Sequence, residues 1–244
     1  MTEKLVAIVT GGAGGIGLRT VALLRERGFE AVVLDRDISA VPEGIPAFLC
    51  DITDDDAVRD AVDAVVARFG RLDVVVNNAG IGATGDVTAN DAAEWHRVFD
   101  VNVVSIARMS VAALPHLRRS PHPVIVNISS IVETVGVVNR ALYSATKGAV
   151  SALTLAMAAD HLKDGIRVNA VAPGTVDTAW VGRLVGAADD PVAAAEALRK
   201  RQPIGRLVTP DEVALAIAYL VDPAAGSTTG LVLLVDGGMG ALRV

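Results

Sequence analysis

Residues that cross-link a fold or bind a metal are scarce in this sequence. Its 244 residues include one cysteine, Cys50, and four histidines. A single cysteine cannot form a disulfide within the chain, and a shortage of thiols is typical of proteins in a reducing compartment. The histidines show none of the spacings found among metal ligands. We therefore expect a cytoplasmic protein that has a buried thiol and no metal site.

Aromatic residues, basic clusters and long apolar runs are also missing. Aromatics make up 3% of the chain and apolar residues 52%, so its core has to be aliphatic, as in parallel sheets covered by helices. The net charge of −6, without a stripe of Lys and Arg, argues against a nucleic-acid partner. The apolar run before Thr10 is too short for a signal peptide, and the run at 213–221 is too short to span a bilayer. We therefore expect no membrane partner.

Short apolar runs alternate with helical patterns along the chain. The helical patterns cover roughly 16–28, 54–69, 91–114, 143–162 and 210–221. The apolar runs predict seven buried strands at 5–10, 31–35, 47–50, 73–76, 124–128, 166–172 and 231–235. This order predicts an α/β fold, with one doubly wound domain over 1–244 and helices on both faces of a seven-stranded parallel sheet. The stretch 178–206 does not alternate and is expected to form a substrate lid.

A glycine-rich segment, TGGAGGIG at 10–17, follows the first predicted strand and opens the first predicted helix. Glycines let the backbone approach a pyrophosphate, and free N–H groups at the helix start attract that anion. Asp35 ends the second strand, where a carboxylate can accept hydrogen bonds from the adenosine ribose. The pattern predicts a Rossmann dinucleotide site that uses Gly11, Gly15, Ile16 and Gly17.

Asp35 also bears on which dinucleotide binds. NADP would bring a 2′-phosphate of charge about −1.5 to −2 close to this carboxylate. Two unit charges ~4 Å apart, at an effective dielectric constant of ~20, repel by about 4 kcal/mol. Arg36 either offsets part of this repulsion or is a solvated loop charge, and positions 12 to 14 carry no basic residue. The predicted cofactor is therefore NAD.

Tyr143 and Lys147 lie four residues apart in the segment YSATK, on one face of a predicted helix. A cation near the phenol favours phenolate, so Tyr143 would be the base in alcohol oxidation and the acid in ketone reduction. By itself this spacing also fits an ordinary amphipathic helix with an exposed lysine. Ser130, however, ends the fifth predicted strand at the edge where open α/β sheets bind ligands, and can hold the substrate oxygen.

Together these segments make the chain resemble the short-chain dehydrogenase/reductase family over nearly its whole length. The matching pieces are TGGAGGIG at 10–17, Asp51, NNAG at 77–80, Asn102, Ser130, YSATK at 143–147, PGTVDT at 173–178 and DGG at 236–238. The resemblance implies that Asn102 completes a catalytic tetrad with Ser130, Tyr143 and Lys147, holding a water that links Lys147 to a proton relay. It also implies a homotetramer.

The same resemblance implies the remaining contacts with the cofactor. Asp51 and Ile52 would contact adenine, residues 78–80 would line the adenosine ribose, and Val176 and Thr178 would hold the nicotinamide carboxamide. With Arg36, Tyr143 and Lys147, the other residues expected in the cofactor site are Asn78, Ala79, Gly80, Pro173 and Gly174.

Residues 139–143 and the segment from Pro173 through the lid are similar to one branch of the family. That branch contains 2-keto-3-deoxy-L-fuconate dehydrogenases and the cytosolic type of R-β-hydroxybutyrate dehydrogenase. We therefore expect Arg140 and Arg183 to hold a substrate carboxylate, although each arginine also fits a solvated or structural role. The leading function is hydride transfer between NAD and a secondary alcohol or ketone, on a small hydroxy acid or acidic deoxy-sugar.

Two alternatives remain open. A 3-oxoacyl thioester reductase is disfavoured because such enzymes usually take NADPH, which Asp35 opposes. A non-catalytic NAD-binding regulator is disfavoured because Asn102, Ser130, Tyr143 and Lys147 are all present.

Overall fold

Seven parallel strands form one sheet in the order β3-β2-β1-β4-β5-β6-β7 in the computed structural model, which describes residues 4–243. The strands are β1 (Val6–Thr10), β2 (Glu30–Asp35), β3 (Ala47–Leu49), β4 (Val74–Asn77), β5 (Val124–Ile128), β6 (Arg167–Pro173) and β7 (Val232–Val235). The order reverses between β1 and β4, which opens a crevice at the carboxyl ends of these strands. The predicted α/β fold is confirmed.

Helices cover both faces of the sheet. They are α1 (Gly15–Glu26), α2 (Asp55–Phe69), α3 (Ala92–Phe99), α4 (Ser105–Leu117), α5 (Ala141–His161), α6 (Ala179–Gly186), α7 (Pro191–Lys200) and α8 (Pro210–Val221). The helices α2, α4 and α5 pack on one face, and α1 and α8 pack on the other. The helix expected at 91–114 is a continuous helical run over 92–117, in which an unpredicted π-helical turn (Asp100–Val104) separates α3 from α4.

Alternation along the strands assigns each side chain to one of two aliphatic layers. In β1, Val6 and Ile8 belong to the layer beneath α2, α4 and α5, whereas Ala7 and Val9 belong to the layer beneath α1 and α8. Every residue of β1 is buried because both faces of the sheet are covered. The polar side chains that follow the strands therefore meet at the carboxyl edge.

Two short helices, α6 and α7, make up most of the segment 178–206, which the sequence predicts to be a substrate lid. Residues 192–200 have a helix-like pattern in the sequence and lie in α7, whereas α6 was not predicted. Thr178 caps α6 by accepting a hydrogen bond from the backbone N–H of Val181, and Asp190 caps α7 through Ala193. The predicted lid therefore starts a few residues after the carboxyl end of β6, at the edge of the crevice.

Among the described residues, one helical run, 92–117, has a length and an apolar composition that would be enough to cross a membrane. It has 26 residues, and an 18-residue window reaches a mean hydropathy of 1.4 with 39% of that window buried. Met109, Ala113 and Leu117 on this run pack into the core beside α2 and α5. Core helices with one apolar face have the same composition.

The carboxylate of Asp73 ties together three segments at the amino edge of the sheet. It is fully buried and accepts hydrogen bonds from the Val6 backbone N–H (2.8 Å), from Nε and Nη2 of Arg71 (both 2.8 Å) and from the Ser120 hydroxyl. One buried charge therefore fixes the start of β1, the start of β4 and the turn before β5.

Replacing Asp73 by Ala should lower the free energy of unfolding by about 3 kcal/mol or more, since it removes the buried carboxylate that pairs with Arg71 and leaves the Val6 N–H without its acceptor. Chemical denaturation followed by circular dichroism measures this difference. Asp60→Ala, at an exposed position of α2, is the matched control and should change stability by less than about 0.5 kcal/mol. Equal midpoints for the two variants would contradict the role given to Asp73.

Candidate active site

Three of the four residues predicted to be catalytic meet beside the carboxyl end of β5. Tyr143 and Lys147 lie one turn apart on α5, with Lys147 Nζ 5.7 Å from the centre of the Tyr143 ring. Ser130 follows β5 and begins a short 3-10 turn, where its hydroxyl accepts a hydrogen bond from the Val132 backbone N–H. Ser130 and Tyr143 line the same cleft.

Among the described residues, the buried Lys147 ammonium has a neutral carbonyl and no carboxylate as its partner. It is 5% exposed, and Nζ donates a hydrogen bond of 2.8 Å to the carbonyl of Ile128. Burial lowers the pKa of Lys147 to about 8. An ammonium in this position favours an anion beside it, and the Tyr143 phenolate is the group in place to be that anion.

The phenol of Tyr143 is subject to opposing influences. Burial raises the pKa of Tyr143, and a hydrogen bond from the Ser130 hydroxyl acts in the opposite direction. The ring packs in a small apolar cluster with Leu142, Trp95 and Phe99, which fixes its orientation. The phenol is therefore an immobilised group whose ionisation depends on its charged neighbours.

Asn102, the fourth predicted residue, lies in the π-helical turn and is buried. Its Nδ2 donates to the Ile81 carbonyl (2.9 Å) and to the Thr146 hydroxyl (3.1 Å), and its Oδ1 accepts from the Ile81 N–H (2.8 Å). The side chain thus clamps the loop after β4 to α5. Its proposed contact with a water stays a prediction.

Gly80 lies where a side chain would crowd this arrangement. A Cβ added there would be 3.3 Å from Asn102 Oδ1 and 3.6 Å from Lys147 Nζ. Because Gly80 has no side chain, the loop after β4 can approach both groups. Asn102 and Lys147 are therefore neighbours across the backbone of Gly80.

The glycine loop between β1 and α1 has the shape that a dinucleotide requires. Gly11 and Gly15 have positive φ angles of 61° and 53°. A Cβ on Gly17 would lie 2.3 Å from the Gly11 carbonyl and 2.7 Å from Asn78 Nδ2. Asn78 braces this turn by donating to the carbonyls of Thr10 (2.9 Å) and Gly11 (3.0 Å). Only glycine fits these positions without strain.

The N-terminus of α1 has no side-chain cap, unlike those of α2, α3, α6, α7 and α8. A Cβ on its N-cap residue, Gly14, would meet nothing within 4 Å. Free backbone N–H groups beside open space form an anion site. The residues present therefore fit the pyrophosphate of a dinucleotide.

Two cavities collect most of the predicted cofactor residues. The first, of about 410 Å³, is lined by Gly11, Asp35, Arg36, Asp51, Ile52, Ala79 and Gly80. The second is the cleft that contains Ser130 and Tyr143, and it is also lined by Ile16, Pro173, Gly174, Val176 and Thr178. Both cavities reach the glycine loop.

Asp35 is also tied to the glycine loop. Its Oδ2 accepts a hydrogen bond of 3.0 Å from the Ala13 backbone N–H, and its Oδ1 accepts one of 3.3 Å from the Asp37 backbone N–H. The carboxylate therefore has a fixed position beside the cavity that it lines.

The two arginines predicted to bind substrate are not brought together. Arg140 lines the cleft, but Arg183 does not and is exposed to solvent. The reason is the orientation of α6, which places Val181 and Leu184 against the cleft. The assignment of Arg183 to the substrate site is therefore not supported by this geometry.

Sequence reasoning missed Arg201, which follows α7 and lines the same cleft as Arg140. Its position in the run Arg199-Lys200-Arg201 is typical of charges that complement a helix C-terminus, so the sequence alone gave no reason to choose it. Gln202 was also missed. It is buried, and Nε2 donates to the carbonyls of Thr175 (3.2 Å) and Arg206 (2.8 Å), joining the end of the lid to the loop after β6.

Trp180, another residue that the sequence analysis did not single out, lies in the first turn of α6 and lines the cleft. A Cβ added to Gly82 would lie 2.4 Å from its ring. The absence of a side chain at Gly82 therefore lets the indole of the lid rest on the loop after β4.

The residues assembled at this edge match a known family. A family model described as enoyl-(acyl carrier protein) reductase matches residues 11–240. A cis-4-hydroxycyclohexanecarboxylate dehydrogenase of Sinomonas cyclohexanicum is 41% identical, with 97% of each chain covered. The chain belongs to the short-chain dehydrogenase/reductase family. It is an oxidoreductase that acts on CH–OH groups, and the family binds a nicotinamide cofactor.

Other similar proteins differ in what their names describe. An L-fucose dehydrogenase of Bos taurus is 40% identical over 96% of this chain and 88% of its own. A single-residue variant of the actinorhodin polyketide ketoreductase, solved with NADPH, superimposes with a TM-score of 0.93 at 33% identity, with 99% of each chain covered. This range of names leaves the substrate of the short-chain dehydrogenase open.

Replacing Tyr143 by Phe removes the ionisable oxygen and keeps the ring in its apolar cluster. We expect turnover of an oxidisable alcohol to fall by at least a hundredfold, while the fold and the affinity for dinucleotide remain. Steady-state rates and a fluorescence titration with NADH measure the two effects. Tyr219→Phe is the control, because Tyr219 is exposed on α8, and it should keep full activity. More than a tenth of wild-type activity in Tyr143→Phe would contradict the assignment.

Lys147→Ala gives an independent check on the same pair. Loss of the cation raises the pKa of the phenol, so the remaining oxidation rate should rise only at higher pH than in the wild type. A pH profile with an unchanged acidic limb would show that Lys147 does not act through Tyr143.

Proposed function

We propose that this protein is an NAD-dependent dehydrogenase that interconverts a secondary alcohol and its ketone on a small hydroxy acid or acidic deoxy-sugar. The observation that carries the proposal is the cleft in which the Tyr143 phenol, with Lys147 behind it, faces the Ser130 hydroxyl. Pro173, Gly174, Val176 and Thr178 line the same cleft and would hold the nicotinamide end of the cofactor.

Each catalytic side chain then has a defined task. In oxidation the Tyr143 phenolate takes the proton of the substrate hydroxyl, and in reduction the phenol returns it to the carbonyl oxygen. Ser130 holds that oxygen by a hydrogen bond, and the Lys147 ammonium stabilises the phenolate. A nicotinamide held by Val176 and Thr178 would supply the hydride chemistry of the reaction when bound.

The preference for NAD is supported by Asp35, whose carboxylate is fixed at the cavity that would hold the adenosine. A 2′-phosphate there would face this negative charge, and Arg36 is the basic neighbour available to offset it. The NADPH-bound polyketide ketoreductase has the same fold, so the fold itself does not decide between the cofactors. The choice depends on this local charge.

Purified protein should therefore bind NADH at least about tenfold more tightly than NADPH, since the expected repulsion of about 4 kcal/mol is partly screened. Asp35→Ser should narrow the gap by strengthening NADPH binding. Asp37→Ser, two residues later and exposed, should leave the ratio unchanged. Equal affinities of the wild type for the two cofactors in a fluorescence titration would overturn the proposal of NAD.

The two alternative functions have less support. Reduction of a 3-oxoacyl thioester with NADPH would place the 2′-phosphate against Asp35. A regulator without catalysis would not need the phenol, the buried ammonium and the serine hydroxyl at one cleft. The buried, free thiol of Cys50 supports the predicted cytoplasmic location, which stays a prediction.

A homotetramer is also part of the proposal, because two apolar faces are exposed on different sides of the chain. The first, on α4, α5 and the turns that adjoin them, contains Val104, Val111, Leu155 and Leu162. The second, on α8 and the edge strand β7, contains Leu215, Tyr219, Leu231 and Leu234. Each face can pack against the same face of a second chain about a twofold axis, and two such axes together generate a tetramer.

Charged substitutions on one face at a time should disrupt one of these two subunit contacts and leave the other intact. Val111→Lys combined with Leu155→Lys should give dimers, and so should Leu215→Lys combined with Leu234→Lys. The control is Val192→Lys, because Val192 is 75% exposed on the lid and lies on neither face. Light scattering after size exclusion measures the masses. A monomeric wild type, or a control that dissociates equally, would contradict the tetramer.

A further inference from the structure

The charged side chains that line the substrate cleft are both arginines. Arg140 precedes α5 on the body of the domain, and Arg201 follows α7 on the lid. Within the described part of the chain, no Asp or Glu lines this cleft. Burial and the neighbouring charge of Arg201 lower the pKa of Arg140, so the two guanidinium groups act on each other.

Neither guanidinium has an acidic partner among residues 4–243. Nη1 of Arg140 donates to the Thr84 hydroxyl (2.6 Å) and to the carbonyls of Ala83 (3.3 Å) and Asn139 (3.4 Å), and the side chain of Arg201 makes no hydrogen bond in the described chain. Several other arginines do have an acidic partner, as Arg206 has Glu212. In a chain of net charge −6, two facing cations without an acid form a site for an anion.

The rest of the cleft wall is mostly apolar. Its side chains include Ile131, Val132, Val137, Trp180, Leu184, Leu198 and Met239. The Ser129 hydroxyl in this wall already donates to the Glu133 carboxylate (2.7 Å) and to the Lys147 carbonyl (3.0 Å). The several hydroxyls of a sugar acid would face aliphatic carbon, and each one buried without a partner weakens binding roughly tenfold.

We infer that the substrate is a hydroxy monocarboxylic acid with an otherwise apolar, aliphatic or alicyclic body, whose carboxylate binds between Arg140 and Arg201. This inference rests on the proposed dehydrogenase function and selects between its two substrate classes. Guanidinium groups suit a carboxylate because their paired N–H donors match its two oxygens.

The position of Arg201 also links substrate charge to the lid. A carboxylate between the two arginines connects the lid to the start of α5, one turn before Tyr143. Gln202, bonded to the carbonyls of Thr175 and Arg206, fixes the base of the lid next to Arg201. The acid group therefore holds the lid over the cleft, and a neutral alcohol does not.

The test compares molecules of one shape that differ in charge. With NAD present, kcat/KM for 4-hydroxycyclohexanecarboxylate should exceed that for its carboxamide by at least about thirtyfold, and an aldonate of similar size should be a poor substrate. Arg201→Gln should remove most of the advantage of the acid and leave the rate with the carboxamide nearly unchanged. Arg199→Gln, in the last turn of α7 and outside the cleft lining, should behave as the wild type.

Binding without turnover separates this inference from the proposed function. Cyclohexanecarboxylate has no hydroxyl to oxidise, and calorimetry should show that it binds to the wild type and to Arg199→Gln but at least tenfold more weakly to Arg201→Gln. If it binds in this way while no hydroxy acid reduces NAD, the anion site stands and the dehydrogenase proposal fails. If acid and carboxamide are oxidised equally, if the aldonate is preferred, or if Arg199→Gln and Arg201→Gln bind cyclohexanecarboxylate alike, the anion site is wrong.

Discussion

A buried ammonium without a carboxylate partner is the constraint on which the site depends. Lys147 has the Ile128 carbonyl as its acceptor, and its environment lowers its pKa to about 8. Such a cation stabilises an anion next to it far more than an exposed cation would, because little water screens the interaction. The glycine at position 80 and the clamp made by Asn102 maintain the cavity in which this charge is held.

The parallel sheet explains why these groups can meet at all. Lys147 lies on α5, Ser130 follows β5, and Asn102 lies in the turn between α3 and α4. Strands that run in the same direction end at the same edge, so the chain returns to that edge after every crossover. The lid begins at this edge too, a few residues after β6. Arg201 of this segment lines the same cleft as Arg140 although the two are far apart in sequence.

The fold and the grouping at the site could be predicted from local patterns, because each pattern has a local physical cause. The buried strands are aliphatic along their length, the glycine turn needs positive φ angles, and Tyr143 and Lys147 have helical spacing. The lid could not be predicted in this way. Arg183 and Arg201 have the same chemistry, and only the packing of α6 and α7 decides which of them faces the cleft.

The break between α3 and α4 escaped prediction for a related reason. Neither glycine nor proline marks the π-helical turn at Asp100–Val104, and the apolar periodicity continues across it. The turn can be explained only from the tertiary contacts of Asn102 with Ile81 and Thr146, which the sequence does not reveal. Helix irregularities of this kind often occur at functional sites, where tertiary bonds compensate for the disturbed backbone.

The indole of Trp180 gives the lid an optical signal of its own. The chain contains two tryptophans, and the other one, Trp95, is stacked on Phe99 at a ring-centre distance of 6.1 Å in α3. Trp180 is 44% exposed, rests on the Gly82 backbone and lines the cleft. Movement of the predicted lid would change the hydration of Trp180, so the emission spectrum of the unlabelled protein would report lid position beside the contribution of Trp95 from α3.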